Sequence, residues 1–187
     1  MPSPKLRLAT LAAATFATFA SASVIIHETL DAKAQRVPVI VRGRVVRSVA
    51  AWDAERRTIW TWTELTVTDA IKGKPGSLVL IKQPGGEVAE LGQAVAGAAT
   101  FKVGEDCVLF LEPSPLEAFA FMVSGMAGGK ILITEVDGLP TAVRDTTGIS
   151  FVQPAGAKRF EQVRSPEFLG GPADFIKRVR AAARGTK

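Results

Sequence analysis

The chain has few of the side chains on which most enzyme mechanisms are built. It holds one histidine, one cysteine and no tyrosine among 187 residues. With His27 alone, neither a zinc-protease helix nor a multi-histidine metal site can be assembled. Nothing around His27 suggests a Ser-His-Asp or Cys-His arrangement either, so it reads as an exposed polar residue. One cysteine excludes an intrachain disulfide. Small exported domains often depend on disulfides, so this chain has to be held by burial instead. Cys107 falls within Cys107-Val108-Leu109-Phe110-Leu111, and an apolar run of that kind uses cysteine as a small core side chain.

Other sites are missing as well. Ser124 to Ile131 reads SGMAGGKI. Ser124 stands where a phosphate-binding loop has its first glycine, and Ile131 replaces the hydroxyl that would hold magnesium. The segment reads as a hairpin loop. The carboxylates lack calcium-loop spacing. No cofactor and no metal site are expected, and the chain reads as a non-enzyme. Carboxylates brought together from distant strands would leave a hydrolase open as an alternative, although no motif supports one.

The N-terminus carries an address. Lys5 and Arg7 precede an apolar run from Leu8 to Ala20, and Ala20-Ser21-Ala22 is a small-x-small cleavage site. That is the pattern of a secretory signal peptide over residues 1–22. The other reading of the segment is an uncleaved membrane anchor. Cleavage after Ala22 would leave about 165 residues, a length that suits one domain. The expected localisation is the periplasm or the extracellular medium. The formal charge is +5 for the whole chain, and it is unevenly spread. From Lys158 onward eight basic residues face Glu161, Glu167 and Asp174. A basic tail on an exported protein reads as a solvated helix face, and nucleic acid is not an expected partner.

Strand alternation dominates what remains. Val39 to Val49 is the first strong strand, and Gly43 inside it marks a bulge or a close backbone approach. Ile59 to Ile71 alternates over a long stretch. Ile59, Thr61, Thr63, Leu65, Val67 and Ile71 share the face expected to be buried, while Trp60, Trp62, Glu64, Thr66 and Thr68 share the other. Lys72 to Gly76 supplies a turn, Ser77 to Gln83 a third strand, and Pro84-Gly85-Gly86 a stop. Glu87 to Phe101, rich in alanine and glycine, reads as an excursion. The Cys107 strand, an alternating Glu117 to Gly125, the strand Lys130 to Val136, the Asp137-Gly138 turn and a return over Thr141 to Arg144 follow. Helices are expected only near the ends. One is short, within Val24 to Arg36, and one is amphipathic, from Ala173 to Arg184. This order of elements predicts a mainly β fold, a small antiparallel OB-like β-barrel with a short N-terminal helix and an amphipathic C-terminal helix. The barrel is expected over 23–157, with a basic arm and helix over 158–187 packed on it.

Five short motifs carry a resemblance. They are Val41-Arg42-Gly43-Arg44-Val45, Ile59 to Val67, Ala70-Ile71-Lys72-Gly73, Pro84-Gly85-Gly86, and Phe101-Lys102-Val103-Gly104-Glu105 leading into Val108 to Leu111. Over Val39 to Leu111 the chain resembles a group of uncharacterised exported bacterial proteins. More distantly it is similar to the OB-fold domain of tissue inhibitors of metalloproteinases and netrin-like modules. The resemblance implies a barrel and an exported binding role. It does not bring the inhibitory mechanism with it, because that mechanism needs an N-terminal cysteine and neither cleavage after Ala22 nor the weaker alternative at Ala32-Lys33-Ala34 supplies one.

The expected function is an exported binding module for a protein or an envelope polymer. A metalloprotease-inhibitor-like module acting through other contacts is an alternative. The candidate ligand-binding residues are Trp60 and Trp62, with Arg42 and Arg44 flanking them if the two strands face alike. Two indoles two residues apart on a strand can stack a flat ligand. The plainer reading is that the terminal helix or the Glu87–Phe101 excursion covers both rings.

Overall fold

The computed structural model describes residues 23–26, 28–147, 149–152 and 165–185. The expected leader over 1–22, His27, Gly148, residues 153–164, which span the end of the expected barrel and the start of the expected arm, and residues 186–187 lie outside the described residues. In chain order the elements are β1 (Ser23–Ile26), α1 (Leu30–Arg36), β2 (Val39–Trp52), β3 (Ile59–Lys72), β4 (Leu78–Pro84), β5 (Gly86–Val88), β6 (Leu91–Gln93), β7 (Asp106–Pro113), β8 (Phe121–Val123), a 3₁₀ turn at Met126–Gly129, β9 (Lys130–Val136), β10 (Leu139–Arg144), β11 (Ile149–Val152), β12 (Glu167–Phe168) and α2 (Pro172–Ala183).

Five strands close on themselves. β2 pairs with β3, β3 with β4, β4 with β8, β8 with β7, and β7 with β2. All these pairings are antiparallel except β4 with β8, which meet in parallel at Ile81 and Phe121. This is the expected OB-like barrel. Closure leaves no continuous open edge around the sheet. β7 occupies the seam. One of its edges pairs with β2, and the other is divided, with Asp106 to Leu109 paired to β9 and Leu111 to Pro113 paired to β8. β9, β10 and β12 continue outward from it.

The divided strand explains the unbroken apolar run CVLFL, because both of its faces are buried. Cys107, Leu109 and Leu111 point into the barrel with Val41, Val45, Leu65 and Ile81. Val108 and Phe110 point outward into a second core formed with Ile40, Leu30, Phe175 and Val179. An apolar run without alternation is what two covered faces require. β2 crosses this region with three register shifts against β3, one of them at Arg42/Gly43. A Cβ on Gly43 would overlap the Thr66 carbonyl oxygen and the Leu65 side chain, so the close approach expected of this glycine is present.

The helices cover the outer core. Pro172 opens α2 at a position where a missing N–H costs nothing. Phe175 and Val179, four residues apart, share its buried face. Arg180 pairs with Asp69 of β3, and Arg178 with Asp31 of α1. The short helix starts later than the sequence suggests. Ser23 to Ile26 forms a strand parallel to β11, in keeping with its β-branched Val24, Ile25 and Ile26. The helix begins at Leu30, where the Thr29 hydroxyl accepts from the Ala32 N–H at 3.2 Å. Two other expectations also change. Only Phe121–Val123 of the alternating Glu117–Gly125 stretch is a strand. Glu167–Phe168, which lies in the expected arm, pairs as a strand with β10.

α1 also brings a lysine into the interior. Lys33 is 4% exposed and donates to the Ser124 carbonyl at 3.0 Å. Arg36 joins Glu28, Glu112 and the Ser124 hydroxyl around it. Burial pushes the Lys33 ammonium down to about 8, against the opposing pull of Glu28. Hydrogen bonding from Arg36 holds Glu28 below the ordinary carboxylate range. Every charged group here has a protein partner, so the cluster is a brace between α1 and the start of the 3₁₀ turn, buried at Lys33 and open to solvent at Arg36 and Glu112.

Candidate functional site

Alternation along β3 sorts its side chains as expected. Ile59, Thr63, Leu65 and Ile71 are buried, while Trp60, Trp62 and Glu64 lie on the outer side and are half-buried. Opposite them on β4 stand Pro84, Lys82 and Leu80. On β2 stand Ala51, Val49 and Arg47. The outer face of the barrel at β3 and β4 is therefore an aromatic centre with Arg47 and Glu64 paired at 3.0 Å on its border.

Lys82 organises this centre. Its side chain crosses between the two indoles, with the ammonium 4.7 Å from the centre of each ring. It is only 7% exposed and is paired with Glu117 at 3.0 Å. The negative faces of two aromatic rings and one carboxylate surround the cation, which offsets part of the cost of taking it out of water. Glu117 is placed by the connection from β7 to β8. There the Ser114 hydroxyl accepts from the N–H groups of Leu116 and Glu117, a local turn of the kind serine favours. The same turn sends Phe119 onto Trp62. The two rings lie 6.2 Å apart at 11°, within the range of offset stacking. Phe119 is nevertheless 67% exposed, and Leu116 and Val49 are exposed beside it.

Neither cover expected for the indoles supplies these contacts. α2 meets β3 at Asp69, nine residues beyond Trp60 and about 30 Å along the strand. The Glu87–Phe101 excursion lies against the other side of the sheet, where Gly86 approaches Thr61 and Ala50. The indoles are shielded instead by Lys82 and Phe119.

The arginines do not join them. Arg42 stands opposite Asp69 and Arg44 opposite Thr66, whereas Trp62 is opposite Val49. Arg42 donates twice to Asp106, at 3.0 and 2.7 Å, which raises the guanidinium pKa. Arg44 donates to the Gly104 carbonyl at 3.0 Å. Both arginines hold β2 to the approach of β7, so the expected flanking of Trp60 and Trp62 by Arg42 and Arg44 is corrected. The β2–β3 register is the reason that equal parity did not bring them to one place: it sets Ala51 and Val49 opposite the indoles, and Arg44 and Arg42 opposite residues four and seven positions beyond Trp62.

Lys82, Glu117 and Phe119 were absent from the sequence-based set. Their signal was weak. Lys82 follows four apolar residues in a strand whose register the sequence does not fix. Phe119 alternates with Phe121 and Val123 as if in the same strand.

Cys107 is buried, and burial pushes its thiol up to about 12, so it is an inert core group. Among the described residues no group of three or more His, Cys, Asp or Glu is placed to hold a metal ion. Among them, too, no helix is long and apolar enough to cross a membrane. No family model matches the chain, and no curated protein matches it.

Proposed function

We propose that this chain is an exported, non-enzymatic binding module whose ligand is a protein, held on the outer face of β3 and β4. The observation that supports this reading is the exposed Phe119 stacked on Trp62, with Leu116 and Val49 beside it and two ion pairs around it. An apolar, aromatic centre with a charged border is the anatomy of a protein interface. The face also coincides with strands two and three and the loop between strands four and five, the region OB-type barrels use for ligands. Export is supported by the leader pattern ending at Ala22. A non-enzymatic role is supported by the scarcity of histidine, cysteine and tyrosine.

An envelope polysaccharide is the second ligand class, because an exposed aromatic stack also suits sugar rings. Affinity capture tests both. The purified protein, Trp62→Ala and Phe119→Ala are immobilised and offered periplasmic extract, culture medium and cell-wall polymer. Circular dichroism checks that each variant is folded. Capture of a protein by the parent and its loss in both variants supports the reading. Capture of polymer alone assigns the face to the second class, and capture that neither substitution changes removes the site from this face.

A further inference from the structure

Thr61, between the two outward indoles, points to the opposite side of β3. With Ser48, Ala50 and Gln83 it lines a cleft of about 830 Å³ at one end of the barrel. The chain around Gly92 to Lys102 forms the other wall. This volume lies within the range of ligand sites.

Two independent features of the cleft are unfinished. The first is the Gln83 amide. Gln83 is 2% exposed, and among the described residues its Nε2 has no hydrogen-bond partner. Nearby polar groups are already engaged. The Thr61 hydroxyl donates to the Gly85 carbonyl at 2.6 Å, the Gln93 Oε1 accepts from the Ile59 N–H at 2.6 Å, and the Ser48 and Thr63 hydroxyls meet at 3.1 Å. A buried donor without an acceptor is rare and destabilising.

The second is the edge of β2. Gly85 donates to the Ile59 carbonyl and Val67 to the Ser77 carbonyl, so odd-numbered residues of β3 bond toward β4. Trp60, Trp62 and Glu64 therefore bond toward β2, where Ala51, Val49 and Arg47 face them. Ser48 and Ala50, between those three, turn their N–H and C=O groups to the far edge. The approach to β7 covers that edge only as far as Val45, which exchanges hydrogen bonds with Gly104 and Glu105. Among the described residues, no strand pairs with the far edge at Ser48 or Ala50.

An open strand edge presents alternating donors and acceptors, and the chain that matches them is an extended peptide backbone. Gly92, Ala94, Ala98 and Ala99 are four of the nine residues of the opposing wall, and their small side chains leave width for such a backbone. The charged residues lining the cleft are one anion, Glu87, and one cation, Lys102, so an uncharged peptide fits it best. We propose that this cleft binds an extended, uncharged peptide segment that adds as a strand to β2 at Ser48 and Ala50, with one of its acceptor oxygens meeting Gln83 Nε2. The site lies across the sheet from the Trp62–Phe119 face and does not depend on it.

The test offers the purified protein two probes, a library of end-blocked hexapeptides of uncharged residues and a panel of neutral oligosaccharides. Binding is measured by calorimetry, and backbone amides are followed by hydrogen exchange. Hexapeptides are expected to bind, oligosaccharides are not, and exchange at Ser48 and Ala50 slows on the order of tenfold or more in the complex. Gln83→Leu weakens peptide binding about tenfold without lowering the melting temperature, because it removes an unpaired donor. Trp62→Ala leaves peptide binding unchanged, which separates this site from the outer face. The proposal is overturned if no hexapeptide binds, if oligosaccharides alone bind, or if a bound hexapeptide leaves Ser48 and Ala50 exchange unaltered. The exchange measurement on the unsubstituted protein decides the matter even if Gln83→Leu does not fold.

Discussion

The rings of Trp62 and Phe119 lie 11° from parallel with their centres 6.2 Å apart, so an exposed connection is fastened to the barrel wall by this stack together with the Glu117–Lys82 ion pair. Because Phe119 remains 67% exposed, its removal uncovers little. Phe119→Ala should lower unfolding free energy by about 1 kcal/mol or less. Trp62→Ala, which also strips one face from Lys82, should lower it by about 3 kcal/mol. Urea unfolding of the two variants measures the difference. Equal losses would mean that the stack, and not the indole's burial, fixes this face.

Lys82 gives a second expectation. Lys82→Met keeps most of the side-chain length and removes the charge from between the indoles. It leaves Glu117 without its partner. A loss of about 1–2 kcal/mol is expected, together with a change in tryptophan emission, since two of the three indoles sit 4.7 Å from that ammonium. Lys82→Arg should retain more of the stability than Lys82→Met. If the methionine variant is the more stable, the cation is a net cost to the fold.

The pH dependence follows from Lys33 and Cys107. Lys33 is lowered from 10.5 to about 8, so between those values the unfolded chain holds a proton that the native protein has lost. Stability therefore rises as pH climbs above about 8. Lys72, also pushed down by burial, acts in the same sense. Cys107 is raised from 9.0 to about 12, so above 9 the native protein keeps a proton that the unfolded chain sheds, and stability falls. The expected profile rises from about pH 8 to 9, flattens while the two effects oppose, and declines above about 10.5. Each group contributes up to about 1.4 kcal/mol per pH unit. Urea midpoints across pH 7.5 to 11.5 check it. Lys33→Met should remove the rise, and Cys107→Val the fall.

Gly43 offers a test of the barrel itself. Gly43→Ala forces a methyl group onto the Thr66 carbonyl and the Leu65 side chain, at a cost of about 3 kcal/mol or more. Gly92→Ala meets only the Glu87 side chain at 3.5 Å and should change stability by about 0.5 kcal/mol or less. Comparable losses in the two variants would contradict the close crossing of β2 and β3.

Much of this architecture is legible in the sequence, for physical reasons. The alternation from Ile59 to Val67 survives folding because one face meets the barrel core and the other does not, while beyond it the register shifts turn Ile71 to the core beneath the helices. Asp137-Gly138 marks its hairpin because both residues take positive φ. Phe175, Ile176 and Val179 announce α2 by their spacing. The site was less legible, because it is assembled between elements. Parity placed Trp60 and Trp62 on one outer face, but it could not give the β2–β3 register, which sets Arg42 and Arg44 far along the strand from the indoles and beside Asp106 and Gly104. Nor could it show that the β7–β8 connection folds back to set Phe119 on Trp62. The cleft depends on where β7 stops covering β2, which no local pattern encodes.

The divided edge of β7 also governs how the protein comes apart. Cys107, Leu109 and Leu111 belong to the barrel core, and Val108 and Phe110 to the core beneath the helices. One strand thus carries both interiors, and neither can lose it without exposing the other. Barrel and helical cover therefore form one cooperative unit, with a single unfolding transition reported alike by tryptophan emission from the barrel wall and by the helical signal of α2.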